Sequence, residues 1–480
     1  MNRLHHIISG AASALLLLAC QTSKEGMDDF IAGLGGGNGT GTVTDDAREP
    51  LDNVVGKPLS KWSEGYLDIH AVNSARGECT FFIYPDGTTM LCDAGEIGPG
   101  QANYPNVDFK PYDAKRPYLV YAEYIRHFLP AQAKDSLDYM YMTHFHNDHF
   151  GTPGAYDVVQ RGDYSYTKTG IMALYDELPF RKIFDRSYDV EDPDYESVAK
   201  GAQEFSEFED YADFIKWSTS ERGLKVERIE NGSYTQLQML HAGSSYPGFS
   251  VMNNCVNGYI WDGEKEVDTY NRSQGQLIYE NGMSGGFILK YDDFDYITSG
   301  DAGANTNVEV PLAKSINRKM EAMKSNHHFA WHTMNEQTMS IFQPKVIVSQ
   351  SFYDHQPDMG YYDSGNQAFQ LAWAAYGNPL NTPEAIAEAH DPSNPACKCW
   401  YFTNIHQHIV DWNENNYIFG ADGNVENQMP KIKGMNGHVV IRVAPMGADG
   451  KQPFYVYMLV DTDFGYVVKQ ADGPFYCHEN

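Results

Sequence analysis

The stretch LDYMYMTHFHNDHFGTPGA, residues 137–155, most constrains how this chain can fold. Residues 137–142 form a short apolar run that is typical of a buried strand, and the glycines and proline after the histidines are typical of a turn. His144, His146, Asp148 and His149 therefore crowd a strand-to-helix junction, where loops commonly carry chemistry. Two histidines two residues apart can point the same way from an extended segment. Because the chain then coils, the next Asp-His pair turns to the other side, and the pattern predicts two adjacent half-sites for metal.

The alternative interpretation is a polar loop that happens to be rich in histidine. The chain has 17 histidines in 480 residues, so three of them plus an aspartate within six positions is unexpected from composition. Imidazole and carboxylate groups suit Zn²⁺ and similar first-row metals. The spacing HxHxDH resembles the signature of the metallo-β-lactamase fold superfamily. That resemblance implies a layered α/β fold and a pair of metal ions.

A second line, LDIHAVNSARGECTFFIYPDGTTMLCDAG, residues 67–95, contains three strand signals, at 67–72, 79–84 and 88–92. It resembles the opening of the ComEC-like branch of that superfamily, the hydrolase domain of DNA-uptake proteins and its free-standing relatives. The resemblance implies that Asp93, in the triplet Asp-Ala-Gly, lies beneath the metals as a supporting group. The chain departs from the branch at Glu78-Cys79, where Asp-Ser is usual.

The remaining metal ligands are assigned through the same resemblance. His241 is the single histidine between residues 150 and 300 and follows the run QLQML, where the superfamily has the third ligand of the first metal. An unremarkable polar histidine is the alternative there. GGFILKYDDFDYITSGDAG resembles the hairpin whose final aspartate, here Asp301, bridges both metals. In the pair His327-His328, His328 is expected as a ligand and His327 as the neighbour that faces substrate.

The resemblance thus implies one metal on His144, His146 and His241, the other on Asp148, His149 and His328, and a bridge through Asp301. The expected cofactors are two divalent ions, with zinc first and manganese or iron as alternatives. A hydroxide between the metals would act as the nucleophile, with Asp148 orienting it and His327 contacting substrate. His406, His408 and His438 are expected to be surface or packing residues.

The first 20 residues resemble a bacterial lipoprotein signal peptide. A short basic start and an apolar run end in Leu17-Leu18-Ala19-Cys20, which resembles a lipobox and implies that Cys20 is lipidated. An ordinary signal peptide with a stray cysteine is the alternative. Residues 21–60 are glycine-rich and charged, as in a flexible tether. The protein is therefore expected in the cell envelope, at the outer membrane facing the periplasm or the cell surface, and held to the membrane by lipid only.

The net charge bears on the binding partners of the protein, and the cysteine content bears on its disulfides. The net charge of −29 disfavours nucleic acid, because phosphate contacts normally require a basic patch, so a small-molecule or cell-envelope substrate is expected. Six cysteines besides Cys20 could pair in an oxidising compartment, and Cys79–Cys92 is one candidate bridge between facing strands. The six are Cys79, Cys92, Cys255, Cys397, Cys399 and Cys477.

Residues 62–480 are predicted to be one elaborated domain, an αββα sandwich of the α/β class (α+β layered) with helical and loop insertions. Helices are expected at 117–129, 208–217 and 364–377. Further strands are expected at 286–291, 294–299, 344–349, 399–403, 437–443, 454–460 and 466–469. The region 155–235 is interpreted as an insertion over or beside the active-site face, with a plain solvated flap as the alternative.

The expected function is that of a di-metal hydrolase. A carboxylate bridge without a cysteine ligand resembles the phosphoesterase-like branches of the superfamily and favours a phosphoester or phosphodiester substrate. Two alternatives stay open. One is hydrolysis of a lactone, amide or carboxylic ester on the same fold, and the other is a surface lipoprotein that only binds.

Overall fold

Two large β-sheets form the body of the protein, seen here in a computed structural model. The structure describes residues 54–98, 115–152, 154, 156–187, 208–270, 278–303, 306–330, 333–350, 399–403, 432–434 and 437–477. The strands of the first half are β1 (Leu67–Ala71), β2 (Thr80–Ile83), β3 (Thr89–Cys92), β4 (Leu137–Tyr141), β5 (Val158–Arg161), β6 (Tyr164–Thr167), β7 (Phe180–Asp185), β8 (Lys225–Arg228), β9 (Phe249–Val256) and β10 (Tyr259–Trp261). Those of the second half are β11 (Glu266–Asp268), β12 (Gly286–Tyr291), β13 (Phe294–Thr298), β14 (Ala322–Lys324), β15 (Val346–Ser349), β16 (Cys399–Phe402), β17 (Ile432–Gly434), β18 (His438–Val443), β19 (Pro453–Thr462) and β20 (Gly465–Tyr476).

Helices are fewer than strands in the described residues. They are α1 (Pro117–Phe128), α2 (Asn147–Phe150), α3 (Gly170–Glu177), α4 (Phe208–Arg222), α5 (Glu309–Ile316) and α6 (Glu336–Phe342). Short 3₁₀ turns span Ala131–Ala133, Gly243–Ser245, Glu280–Met283 and Asn326–Phe329. Among these helices, none has both the length and the apolar character needed to span a membrane.

Each large sheet has nine strands within the described part of the chain. The first has the order β20-β19-β18-β1-β2-β3-β4-β7-β8, and the second has the order β11-β10-β9-β12-β13-β14-β15-β16-β17. Both are mixed. The runs β3-β4-β7-β8 and β13 to β17 are parallel, and the remaining pairs are antiparallel. Parallel strands end at the same edge of a sheet, which matters for the site below.

The two sheets are stacked with apolar side chains between them and helices outside. Phe82 of β2 and Phe287 of β12 meet in the core between the sheets, with ring centroids 5.7 Å apart. The next-door Phe81 points to the opposite face, into a core shared with α1, α3 and α4. On the far side of the second sheet, Leu312 of α5 packs against Ile260 of β10. The predicted αββα layering of an α/β fold is therefore confirmed.

Helix α1 shows how the local sequence sets an element. Proline is favoured at the first helical position, and Pro117 occupies it. The helix ends at Phe128, just before Leu129-Pro130, where proline disfavours a further turn. Its buried side chains include Tyr121, Tyr124 and Ile125, which pack on the first sheet. The predicted helix at 117–129 is thus observed almost unchanged.

The interpretation of residues 155–235 as an insertion over or beside the active-site face needs correction. Within its described part, β7 and β8 continue the parallel run of the first sheet beyond β4. Helices α3 and α4 contribute buried side chains, among them Leu174 and Phe214, to the core on the outer face of that sheet. The segment is therefore part of the sandwich, because its strands complete a sheet edge and its helices cover it.

Several sequence predictions lie outside the described residues. They are the signal peptide at 1–20 with Cys20, most of the tether, the helix at 364–377, His406, His408 and Cys397, together with the side chain of Cys399. They stay predictions, as do the domain limits 62–480. Cys79, Cys92, Cys255 and Cys477 are free thiols, so the structure does not contain the Cys79–Cys92 bridge. His438 is a buried packing residue, with its Nε2 2.9 Å from Asp461 Oδ1.

We expect the buried pair Asp68–Arg442 to stabilise the junction of β1 and β18. The two residues stand opposite each other, and Arg442 donates two hydrogen bonds of 2.8 and 2.7 Å to the carboxylate. Asp68→Asn leaves the guanidinium buried without its counter-charge, so it should lower the free energy of unfolding by about 3–5 kcal/mol. Urea denaturation at neutral pH measures this loss.

The pH dependence of the same pair provides a second readout. Burial alone would raise the pKa of Asp68, but Arg442 outweighs it and lowers the pKa to about 2. The contribution should be fully present above the ordinary carboxyl pKa and lost as pH falls through about 2. Asp135, 63% exposed in its ion pair with Arg126, provides the control, and Asp135→Asn should change stability by less than about 1 kcal/mol. Equal losses in the two variants would contradict the prediction.

Candidate metal centre

The site lies where strands of both sheets end at a common edge. In the first sheet β3 and β4 run parallel, so Asp93, directly after β3, lies beside the histidine motif that follows β4. In the second sheet β13 and β14 run parallel, so Asp301 and the pair His327-His328 also emerge side by side. The face-to-face sheets then bring the two sets together. This topology explains why residues more than 180 positions apart share one cluster.

One group of donors gathers around His149 and His328. Their Nε2 atoms are 3.3 Å apart, and they lie 3.0 and 3.2 Å from Asp301 Oδ2. Asp148 Oδ2 is 2.9 Å from His328 Nε2. Glu78 joins the same group from the start of β2, and the four side chains Glu78, His149, Asp301 and His328 are all buried. These atoms are spaced closely enough to share a metal ion.

Acceptors at Nδ1 fix the protonation pattern of both imidazoles. His149 Nδ1 donates to Asp93 Oδ2 at 2.8 Å, and Thr143 holds that carboxylate with two further hydrogen bonds. His328 Nδ1 lies 2.7 Å from Glu78 Oε1 and 3.2 Å from the carbonyl oxygen of Gln350. Because each Nδ1 has an acceptor for its proton, each Nε2 faces the carboxylates and can present a lone pair to a cation bound between them.

The pKa values of His149 and His328 are raised, which shows that the surrounding carboxylates favour a positive charge at these rings. Burial disfavours a charged imidazole, yet the carboxylates of Asp301 and Glu78 outweigh it and raise the pKa of His149 to about 10. The pKa of His328 is raised for the same reasons. Burial and the neighbouring His149 instead lower the pKa of His144 well below its ordinary value. His144 is therefore neutral, which is the form that binds metal.

A second, smaller group consists of His144, His146 and Asp301. His144 Nε2 lies 3.1 Å from His146 Nδ1 and 3.7 Å from Asp301 Oδ2. The hydroxyl of Thr143 lies 3.0 Å from His144 Nδ1 and so orients that ring. Asp301 is the residue common to both groups. Its Oδ1 is buried and has no hydrogen-bond partner within the described part of the chain, so a second donor atom is available.

The charge of the site fits divalent cations. The carboxylates of Glu78, Asp93, Asp148 and Asp301 surround it, and the buried ammonium group of Lys324 lies 2.9 Å from Glu78 and 3.6 Å from Asp301. With neutral imidazoles the cluster carries an excess of negative charge in a buried place, which is costly without cations. Imidazole and carboxylate donors are those that zinc, iron and manganese accept. This cluster is a candidate dinuclear metal centre.

The two adjacent histidines occupy different positions. His328 is fully buried within the first-described group, whereas the side chain of His327 is 23% exposed and its Nε2 is 4.0 Å from Asp301 Oδ2. The backbone turns sharply here, with φ of 45° and 52° at the two residues. His328 thus lies within a donor group, whereas the partly exposed His327 lies outside both groups.

His241 is not brought to the cluster, so its predicted place must be corrected. Its Nε2 lies 3.8 Å from Asp138 Oδ2, near the start of β4, whereas His144 follows the end of that strand. Its backbone N–H donates to Asp86 in the β2–β3 turn. The run at 237–240 is also not a strand. The expectation that His241 ends a strand at the metal edge is therefore wrong.

Glu78 and Lys324 are site residues that the sequence did not single out. Glu78 stands where the resembling branch has Asp, and that departure was the available signal. Lys324 Nζ donates to the carbonyl oxygens of Gly300 and Ser325, each at 3.0 Å, which ties the two strand ends together. A lone lysine next to a double histidine gives no pattern from which burial could be predicted.

We expect His241→Ala to leave the metal content of the purified protein unchanged. Its imidazole is one third exposed and lies at the wrong end of β4. His144→Ala is the matched variant and should lower metal content, because it removes one of three donors in its group. Elemental analysis of both proteins tests this. Loss of metal from His241→Ala with retention in His144→Ala would reinstate His241 as a ligand.

Comparisons with known proteins give weak structural likeness only. No protein-family model matches the chain, and no curated protein matches it. Among solved structures, the chain is similar to CmlA, a diiron beta-hydroxylase from Streptomyces venezuelae, with 11% identity, a TM-score of 0.32, and coverage of 66% of this chain and 52% of that one. A CmlA beta-hydroxylase mutant gives 11% identity, a TM-score of 0.30, and coverage of 60% and 46%. The chain thus spans about half the length of the structures it matches.

Proposed function

We propose that this protein is a metal-dependent hydrolase that holds two divalent cations in the cluster around Asp301. One observation carries the proposal. Asp301 Oδ2 lies within 3.7 Å of Nε2 atoms from His144, His149 and His328, which belong to two different donor groups. A carboxylate shared by two groups is suited to bridging two cations.

The protein side chains have distinct tasks in this proposal. Divalent cations bound there would polarise the bond to be cleaved and lower the pKa of an attacking water. Asp93 and Glu78 hold the rings of His149 and His328 with Nε2 directed inward. Asp148, next to His328, can accept a proton from water, and the partly exposed His327 can donate a hydrogen bond to the leaving group.

The substrate class is the finer part of the proposal. We favour a phosphoester or phosphodiester of modest size, since the donors gathered here are imidazoles and carboxylates and, within the described residues, include no thiolate. The acidity of the chain disfavours duplex DNA as the substrate. Zinc is the first expected metal, with manganese or iron as alternatives.

A substrate panel tests the proposal. Metal-loaded full-length protein is assayed with a p-nitrophenyl phosphodiester, the corresponding monoester, a lactone, a β-lactam and duplex DNA. The phosphodiester should be cleaved fastest and DNA least. Faster lactone cleavage would contradict the phosphodiester proposal but would still support a hydrolase. No turnover by fully loaded protein would favour a surface protein that only binds.

We expect His327→Ala to separate chemistry from metal binding. Its imidazole is outside both donor groups, so the variant should keep its metals. Loss of one positioned acid–base or hydrogen-bonding group should lower kcat by roughly 10²–10⁴-fold. Metal analysis and steady-state kinetics on one preparation measure both. Loss of a metal from His327→Ala, with retention in His328→Ala, would exchange the roles of the two histidines.

A further inference from the structure

The two donor groups are unequal within the described residues. The group of His149 and His328 also has Glu78, Asp301 and the nearby Asp148. The group of His144 and His146 has only Asp301 as a third donor. These three donors and the proposed attacking water would make an ion there four-coordinate, and one further protein donor would make it five-coordinate. His241 is not in a position to provide it.

One short segment of the chain touches each motif that builds this half-site. It is the 3₁₀ turn Glu280–Met283 and the two residues that follow it. Glu280 Oε1 accepts the backbone N–H of Phe145, between the two histidines, at 2.7 Å. Ser284 Oγ accepts the N–H of Asp301 at 3.1 Å, and Gly285 N–H donates to the carbonyl oxygen of Thr143 at 2.8 Å.

The segment is also rigidly held. The carboxylate of Glu280 is fully buried and receives two hydrogen bonds of 2.7 Å from the fully buried Arg186. The guanidinium lies 4.6 Å from the ring centroid of Phe145. Because Glu280 is fixed both to Arg186 and to the backbone of Phe145, the position of the residue that follows it is constrained as well.

That next residue is Asn281. Its Nδ2 lies 3.4 Å from His327 Nε2, which is itself 4.0 Å from Asp301 Oδ2. Its Oδ1 is buried and makes no hydrogen bond within the described residues. A buried carbonyl oxygen without a partner is costly, and such atoms commonly await a donor or a cation.

We propose that Asn281 provides, through its carboxamide oxygen, a further protein ligand of the half-site formed by His144, His146 and Asp301. The assignment rests on the proposed di-metal function and deepens it. An amide oxygen is a harder and weaker donor than imidazole. This half-site should therefore bind its ion less tightly than the other one and accept Mn²⁺ more readily than a three-histidine site would.

Titration of metal-free, full-length protein with Co²⁺ tests the assignment, with absorption spectra recorded at each step. Wild type should bind two ions per chain. Asn281→Ala should bind the tighter ion normally and the weaker ion at least about tenfold less tightly. Asn281→Asp keeps an oxygen donor and should restore two ions, and Asn281→His should restore them with a spectrum that indicates one more nitrogen ligand.

The controls distinguish the ways in which the assignment can fail. Asn231→Ala removes an amide that donates to Glu266 and that, like Asn281, has a buried Oδ1 without a partner in the described residues, and it should leave both ions unaffected. Thermal unfolding of the metal-free variants shows whether Asn281→Ala folds, and the Asp and His variants carry the test if it does not. If Asn281→Ala binds two ions with wild-type affinity and spectrum, Asn281 is not a ligand, and the di-metal proposal is unaffected. Wild type that binds fewer than two ions would overturn the di-metal proposal as well.

Discussion

Replacing Asp301 with asparagine should abolish both metal retention and hydrolysis. Asp301 is fully buried, and its Oδ2 faces three histidine nitrogens while Oδ1 has no hydrogen-bond partner in the described residues. The amide would present one neutral oxygen where two cations need a shared anion. Changes beyond the ligands themselves already lower metal affinity 10–100-fold, so loss of a bridging ligand should exceed about 100-fold. Metal content after dialysis and turnover of the phosphodiester should fall together.

Asp293→Asn is the matched control for this substitution. Asp293 lies in the turn between β12 and β13, at the other end of the hairpin from Asp301, so it removes the same charge without touching the cluster. Its metal content and turnover should equal those of wild type. Two tightly bound metals in Asp301→Asn would show that the carboxylate is not a bridge and would remove the observation on which the proposed function rests.

The site residues that could be predicted from sequence are those that come directly after a strand. Asp93, the motif from His144 to His149, and Asp301 each follow an apolar run that the structure shows as a strand. An extended run fixes where its end lies, and parallel neighbours bring such ends together. The layered architecture was predictable for the same reason, since strands buried on both faces appear as continuous apolar runs.

The prediction of His241 as a metal ligand was wrong because an apolar run is not always a strand. The segment before it is irregular, and His241 is held by backbone hydrogen bonds to Asp86 rather than by a sheet. Sequence periodicity over four residues cannot distinguish these two cases. The failure affects the half-site of His144 and His146, whose third donor within the described residues is Asp301.

The burial of Glu78, Lys324 and Glu280 could not be predicted because it depends on contacts between distant segments. Lys324 is buried only because Glu78, 246 positions earlier, supplies a counter-charge at 2.9 Å. Glu280 is matched by Arg186 in the same way. Single charged residues are exposed by default, so a sequence gives no reason to place them inside until both partners are known.

The second large effect is expected at Gly95, the last residue of the Asp-Ala-Gly triplet. A Cβ added there would lie 1.6 Å from the carbonyl oxygen of Asp148 and 2.7 Å from the backbone nitrogen of His149. The two segments cannot separate freely, because Ala94 N–H donates to the His149 carbonyl and Glu78 N–H to that of Asp148. Gly95→Ala must therefore displace the backbone of the metal motif.

We expect Gly95→Ala to lower the free energy of unfolding by about 3 kcal/mol or more and to reduce metal content at the same time. Urea denaturation of the metal-free protein isolates the steric cost, and elemental analysis reports the displaced ligands. Gly243→Ala is the control, since its added Cβ would meet only Met239 Cβ at 3.4 Å, an ordinary contact. If Gly95→Ala keeps wild-type stability and both metals, the backbone of Asp148 and His149 does not need this close approach, and the triplet holds the site through Asp93 alone.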